Sequence, residues 1–303
     1  MKVLVLGGNG FIGINLVGQL VTAGHNVRVY DRSSPKLCEQ LKNVEYLRGS
    51  FDDIASVSQA LHKIDAVCHL ISSSIPSTSN LSPADDIQDN LVNTVSLLEC
   101  MKKMNIRRIL YISSGGTIYG DSDKEIIDED HSLNPNCSYG VVKLAVEKYL
   151  MMYKRLYGFE PIILRVSNPY GPWQSKVGLQ GLIGTVLAKV INKEPVVVWG
   201  DGEVIRDYLY ITDLIDACTL ALDKKITGVF NIGSGIGHSV NQIIKLVEEL
   251  TSTMLEVNYI ESREVDVKKV VLNIKKAKNE LGWVPKINIT EGLNKHYTWL
   301  QSL

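Results

Sequence analysis

Short apolar runs recur along the first half of the chain, separated by stretches that are turn-like or helix-like. KVLVL (2–6), NVRVY (26–30), VEYL (44–47), DAVCHL (65–70), RILYI (108–112) and PIILRV (161–166) read as strands. After KVLVL the chain is amphipathic as far as Ala23, with Ile12, Leu16, Val17 and Leu20 on one face. Ala84–Met104 and Ser138–Tyr157 are further helical segments. Strands alternating with helices predict βαβ units and a parallel sheet covered on both faces, a doubly wound α/β fold. Near Ser167 the texture changes. Pro169, Gly171 and Pro172 interrupt the pattern, and the later strands VVVW (196–199) and VFNI (229–232) are more widely spaced. The expected division is a first domain over 1–166 and a smaller C-terminal α/β domain over 167–303. A segment near 204–223, including a helix over Ile211–Leu222, is expected to return to the first domain.

The turn after the first strand carries Gly7-x-x-Gly10-x-x-Gly13. A second match, Gly178-x-x-Gly181-x-x-Gly184, follows a proline-rich loop and lacks the strand-turn-helix context. In the first match the glycines let a pyrophosphate approach the helix N-terminus, where free amides and the helix dipole favour an anion. Asp31 closes the next strand, 18 residues after Gly13. A carboxylate there accepts from the adenosine ribose hydroxyls and repels a 2′-phosphate, which favours NAD over NADP; Arg32 beside it works weakly the other way. The serine-rich SSSIPSTSNLSP (72–83) directly follows a strand. That position makes it a loop over the ligand crevice, not a linker.

Composition adds mainly exclusions. The 303 residues are 45% hydrophobic and 21% charged with a formal net charge of −1, so no nucleic-acid or polybasic membrane partner is expected. No apolar run approaches the roughly 18 residues of a membrane span. The apolar start MKVLVLGG is too short for a signal sequence. Five cysteines without CxxC spacing and six scattered histidines give neither a disulfide framework nor a metal site. These features fit a reducing, cytoplasmic setting.

Tyr139-x-x-x-Lys143 places a phenol and an ammonium on one helix face. An ammonium near a phenol, next to an oxidised nicotinamide, favours the phenolate and makes a proton acceptor near neutral pH. The spacing alone recurs by chance in a chain with 13 tyrosines; the dinucleotide motif gives it weight.

GGNGFIG (7–13), Asp31, Asn90 in DNLVNT, SSGGTIYG (113–120), YGVVK (139–143), RVSNPYGP (165–172), WGDGEVIRDYLY (199–210) and LGWVP (281–285) occur in that order. Together they resemble the extended short-chain dehydrogenase/reductase superfamily, in its NAD-dependent nucleotide-sugar epimerase/dehydratase branch, whose type member is UDP-glucose 4-epimerase. The resemblance covers essentially the whole chain. It implies a Rossmann-type NAD domain, a nucleotide-sugar domain and a homodimer. The pairing face is expected on the 84–104 and 138–157 helices, which carry Leu91, Val95, Leu98, Val142, Val146 and Leu150. It also implies an NAD site formed by Gly7, Gly10, Phe11, Ile12, Gly13, Asp31, Arg32, Ser50, Phe51, Leu70, Ile71, Ser72, Asn90, Ser113, Tyr139, Lys143 and Val166. Many relatives carry an aspartate where this chain has Ser50. The UDP-sugar would meet Ser73, Thr117, Tyr139, Asn168, Arg206, Arg263, Asp266 and Val270. Val265 stands between Arg263 and Asp266 where the family has glycine.

The family places a catalytic Ser or Thr four residues before the tyrosine of its Tyr-Gly pair, and here that position is Gly115. If the segment stays extended, residues 113, 115 and 117 share a face. Thr117 is then the expected replacement hydroxyl, with Ser114 as the alternative. The Asp-Glu pair of a 4,6-dehydratase is replaced by Gly116 and Thr117, which argues against dehydration. The implied activity is NAD-dependent 4-epimerisation of a UDP-hexose through a transient 4-keto sugar, acting on UDP-glucose and UDP-galactose. Val270, smaller than the tyrosine of some relatives, is expected to admit the N-acetyl forms as well. A decarboxylase, a reductase and a non-catalytic NAD-binding protein are the alternatives.

Overall fold

The computed structural model describes residues 1–34, 44–174, 181–224, 226–262 and 267–303. The N-terminal half runs β1 (Lys2–Leu6), α1 (Phe11–Thr22), β2 (Asn26–Asp31), β3 (Val44–Arg48), α2 (Ile54–Ala60) and β4 (Ala66–His69). It continues with α3 (Pro83–Asp86), a π-helical turn (Ile87–Val92), α4 (Asn93–Lys103), β5 (Arg108–Ser114), α5 (Ser138–Tyr157) and β6 (Glu160–Val166). Then follow β7 (Asn168–Tyr170), α6 (Leu182–Asn192), β8 (Val196–Trp199), β9 (Ile205–Tyr210), α7 (Ile211–Asp223) and β10 (Gly228–Ile232). The chain closes with β11 (Gly237–Ser239), α8 (Val240–Thr251), β12 (Val257–Ile260), β13 (Lys269–Val270) and α9 (Ile289–Gln301).

Seven parallel strands form the central sheet in the order β10-β6-β5-β4-β1-β2-β3. β1 and β4–β6 are apolar along nearly their whole length because helices cover both sides. One core layer lies between the sheet and α1 and α7; the other lies under α2, α4 and α5. α7 packs on α1, so the chain returns to the helical layer over the central sheet. β10 returns with it. Read from sequence as part of the C-terminal region, β10 pairs with β6 as the outermost strand of the central sheet. Two buried arginines tie helix ends to strands: Arg28 donates to the carbonyls of Ala60 and His62, and Arg108 to those of Ala221 and Leu222. Each satisfies carbonyls that a helix C-terminus leaves without a partner.

The 84–104 helix is not continuous. It is α-helical at both ends and π-helical over Ile87–Val92. Thr94 repairs the interruption, its hydroxyl donating to the Asn90 carbonyl. Most of the expected pairing residues face inward: Leu98, Val142, Val146 and Leu150 are buried, and Leu91 and Val95 are half-buried. The exposed apolar side chains of these helices are others, among them Ile87, Val92, Val141, Tyr149 and Leu156. The smaller region packs α6, α8 and α9 around β7–β9 and β11.

Candidate active site

The β1–α1 turn builds one wall of a cleft. Gly7 has φ +84°, a left-handed conformation that costs an L side chain energy, and donates its N–H to the Tyr30 carbonyl. Gly13 is required for contact: a Cβ there would stand 2.2 Å from the Gly7 carbonyl oxygen. Gly10 caps α1 with its surroundings nearly open. Phe11 and Ile12 begin the helix and turn their side chains to the core, leaving backbone at the cleft.

A cavity of about 470 Å³ runs from this turn along the carboxyl ends of β2, β3 and β4. Asp31, Arg32, Ser50, Phe51, Leu70, Ile71, Ser72 and Ser73 line it. The Asp31 carboxylate accepts from the N–H of Asn9 at 3.0 Å and from the N–H and hydroxyl of Ser33 at 2.9 and 2.8 Å. The buried Asn9, which the sequence reading passed over, also donates its amide to the Ser33 carbonyl. These contacts set the carboxylate's position before any ribose reaches it. Ser50 gives its carbonyl to the Tyr30 hydroxyl. Asp89 and Asn93, also unanticipated, line the same cavity. Cavity size, glycine turn and fixed carboxylate fit a dinucleotide.

Asn90 lies in the π-helical turn and holds the serine loop, accepting from the Ser73 N–H at 2.9 Å and donating to the Ser73 hydroxyl and the Asp86 carboxylate, both at 2.9 Å. The loop is attached to the helical face beneath it. His69, at the end of β4, sits between the rings of Phe51 and Tyr111 and bonds the Thr94 hydroxyl. Burial, helped by the charge of Lys143, pushes its pKa down to about 3, so it stays neutral.

The end of β5 divides two serines. Ser113 turns inward and donates to Glu147 at 2.5 Å. Glu147 pairs with Arg165 at 2.7 Å; Arg165 donates to the Tyr119 hydroxyl, and Tyr119 donates to Asn231. This buried network joins β5, α5, β6 and β10 under the site. Ser114 lies near the phenol of Tyr139, and its hydroxyl favours the phenolate. Lys143, one turn along α5, donates to the Ile112 carbonyl at 3.0 Å and lies 5.4 Å from the centre of the Tyr139 ring. Burial pushes the Tyr139 pKa well above the ordinary phenol value and Cys137 adds to the shift, while the Ser114 hydroxyl opposes it. Burial lowers Lys143 to about 8, against the pull of Asp86 and Glu147.

The extended geometry assumed for residues 113–117 does not hold. The strand stops at Ser114, and Gly115–Thr117 form a turn. A Cβ on Gly115 would stand 2.6 Å from Leu272 and so face the core. Thr117 Oγ1 is buried without a hydrogen-bond partner, whereas the Ser114 hydroxyl is near enough to the phenol to favour its ionised form.

Val166 is buried at the end of β6 and offers its carbonyl to the Gly115 N–H. Asn168 donates to the Asp207 carbonyl and Arg206 to that of Ile205, on neighbouring strands β7 and β9. The buried Asp207 carboxylate takes the N–H and hydroxyl of Ser234 and the N–H groups of Gly235 and Leu272, pinning three segments together. Arg263 and Asp266 lie outside the described residues. Val270 pairs with Arg206 but is only 2% exposed, in a cluster with Ile118, Tyr119 and Leu272.

The model of the NAD dependent epimerase/dehydratase family matches residues 3–233. The chain belongs to that family. It is an enzyme, and its cofactor is NAD. A UDP-glucose 4-epimerase from Thermotoga maritima, solved with UDP-glucose, is similar at TM-score 0.94 and 35% identity, covering 100% of this chain and 99% of that one. The Thermus thermophilus UDP-glucose 4-epimerase, solved with NAD, gives TM-score 0.93 and 31% identity over 99% of both chains. A dTDP-4-dehydro-6-deoxyglucose reductase of Escherichia coli is 32% identical, over 97% of this chain and 95% of its own length.

Proposed function

We propose that the protein is a 4-epimerase of a UDP-hexose. The observation that carries the reading is the group at the end of β5: the Tyr139 phenol near Ser114, with Lys143 one helical turn away on α5 and the dinucleotide cleft at the ends of the adjacent strands. Gly7, Gly10 and Gly13 hold the pyrophosphate, Asp31 the adenosine ribose and Lys143 the nicotinamide ribose. NAD, when bound, supplies a hydride acceptor and donor at carbon 4 of the sugar. Tyr139 removes the proton of the 4-hydroxyl, and the Ser114 hydroxyl donates to the phenolate that does so. The Lys143 ammonium offsets the burial that otherwise keeps Tyr139 protonated. Asn168 and Arg206 serve the UDP moiety from β7 and β9, so the flat 4-keto sugar can turn about its phosphate link and be reduced on the other face. Gly116 and Thr117 supply no acid for elimination of water.

The test is purified protein with UDP-galactose, without added reductant. Conversion to UDP-glucose is expected, and no conversion overturns the reading. The missing hydroxyl at Gly115 and the E. coli relative favour a second reading, reduction of a 4-keto nucleotide sugar. That reaction consumes NADH stoichiometrically and yields one epimer. We further infer a homodimer: Val141, Tyr149 and Leu156 expose apolar surface on α5, near Ile87 and Val92 on the neighbouring segment. A monomer by light scattering at micromolar concentration rejects it. The four described cysteines are free, which supports a reducing, cytoplasmic setting.

A further inference from the structure

Asp86 is a buried carboxylate with no part in the mechanism above. It ends α3 only 3% exposed. Its Oδ1 accepts from the Ser74 hydroxyl at 2.7 Å and the Asn90 amide at 2.9 Å, and its Oδ2 from the Ser138 hydroxyl at 2.8 Å. Ser138 is the residue immediately before Tyr139, and its N–H donates to Asn80 Oδ1 at 2.8 Å. Two side chains of the segment between β4 and α4 therefore grip the start of the helix that carries the phenol. Isolating a carboxylate from water is costly unless donors replace the water. Here three donors do so, and none is a cation.

The charge is left to act at longer range. Bonded to the first residue of α5, it lies within electrostatic reach of Tyr139 and Lys143 on that helix and of Tyr111 on β5; Cys137 also acts on Tyr139, and Glu147 on Lys143. On its own segment Asp85 and Asp89 are exposed. The negative charge favours the protonated form of both Lys143 and Tyr139.

We propose that Asp86 is a positioning residue: it latches Tyr139 and the serine loop together through Ser138, and it is a buried countercharge for Lys143. The inference deepens the epimerase reading and rests on it for the rate assay alone. Two variants separate its parts.

Asp86→Asn removes the charge in a nearly isosteric side chain. Tyr139 and Lys143 then both lose their protons at lower pH, so the whole bell of kcat against pH moves toward acid, by about half a unit or more. A purely structural role leaves the bell in place, and an unmoved bell overturns the countercharge. Ser138→Ala keeps the charge and cuts the latch. It is expected to lower kcat about three- to tenfold with KM for UDP-galactose within about twofold and the bell unmoved. An unchanged kcat overturns the latch, and this variant decides that point even where Asp86→Asn does not fold. If the wild-type protein does not interconvert UDP-hexoses, the epimerase reading has failed. The countercharge is then read from the ultraviolet titration of Tyr139, taken as the difference from Tyr139→Phe with NAD bound. A lower midpoint in Asp86→Asn supports it, and an equal midpoint overturns it.

Discussion

Replacing Ser114 with alanine removes the hydroxyl that favours the Tyr139 phenolate and opposes the effect of burial on it. In the proposed mechanism that hydroxyl donates to the phenolate, and a hydrogen bond to a charged group contributes about 1.5–3 kcal/mol. At about 1.4 kcal/mol per decade of rate, Ser114→Ala should lower kcat by roughly 10- to 150-fold. Since the lost bond favoured the phenolate, the Tyr139 pKa rises further and the acid limb of the pH profile moves to higher pH. Thr117→Val, nearly isosteric, removes a hydroxyl that has no partner. It should stay within about threefold of wild type, because no hydrogen bond is lost. The assay is the initial rate of UDP-galactose conversion between pH 6 and pH 10, with bound NAD quantified in each variant. A collapse of Thr117→Val beside a near-normal Ser114→Ala would refute this assignment and restore the one drawn from the sequence.

Further outcomes follow from the buried charges. Asp31 should bar NADP through repulsion of its 2′-phosphate; equal activity with added NADP and NAD would contradict this. Glu147→Ala leaves Arg165, 4% exposed, without its anion, at a cost of about 3–5 kcal/mol. The melting midpoint should fall by roughly 10 °C, and a change under about 2 °C would show that the network carries no stability. His69 and His296 are held neutral by burial, with pKa near 3 and near 4. Below the ordinary histidine pKa of about 6.5 the unfolded chain binds protons that the folded chain refuses, so the stability they lend is full above that pH and is lost progressively as pH falls toward 4. Stability should drop between pH 7 and pH 5; in a variant carrying His69→Gln and His296→Phe the drop should shrink, and an unaltered drop would assign it elsewhere.

The strands of the first half were legible because parallel strands covered on both faces leave continuous apolar runs, as KVLVL and RILYI do. β10 was equally apolar, but its place at the sheet edge depends on the path of the intervening chain and leaves no local mark. The π-helical turn was hidden for a related reason: one extra residue does not alter the apolar pattern of 84–104 visibly, although Asp86 and Asn90, four apart, do mark a polar inward face. The glycine turn, Asp31, Tyr139 and Lys143 could be read because their chemistry is tied to spacing along one element. The hydroxyl could not, since it turns on where β5 stops: an extended segment points to Thr117, and a strand ending at Ser114 turns that hydroxyl to the phenol. The burial of Val270 was hidden in the same way, because it is decided by Tyr119 and Leu272, of which Tyr119 is remote in sequence.

The central claim is that carbon 4 is inverted by removal and return of the same hydride, with Tyr139 moving the proton. UDP-galactose carrying deuterium at carbon 4 tests this directly. The account predicts UDP-glucose with the deuterium still at carbon 4, no net change in NAD, and a Tyr139→Phe variant that keeps its NAD but turns over at least 100-fold more slowly, about the worth of a positioned acid/base. Absence of UDP-glucose, loss of the label from carbon 4, or near-normal turnover of Tyr139→Phe would contradict it.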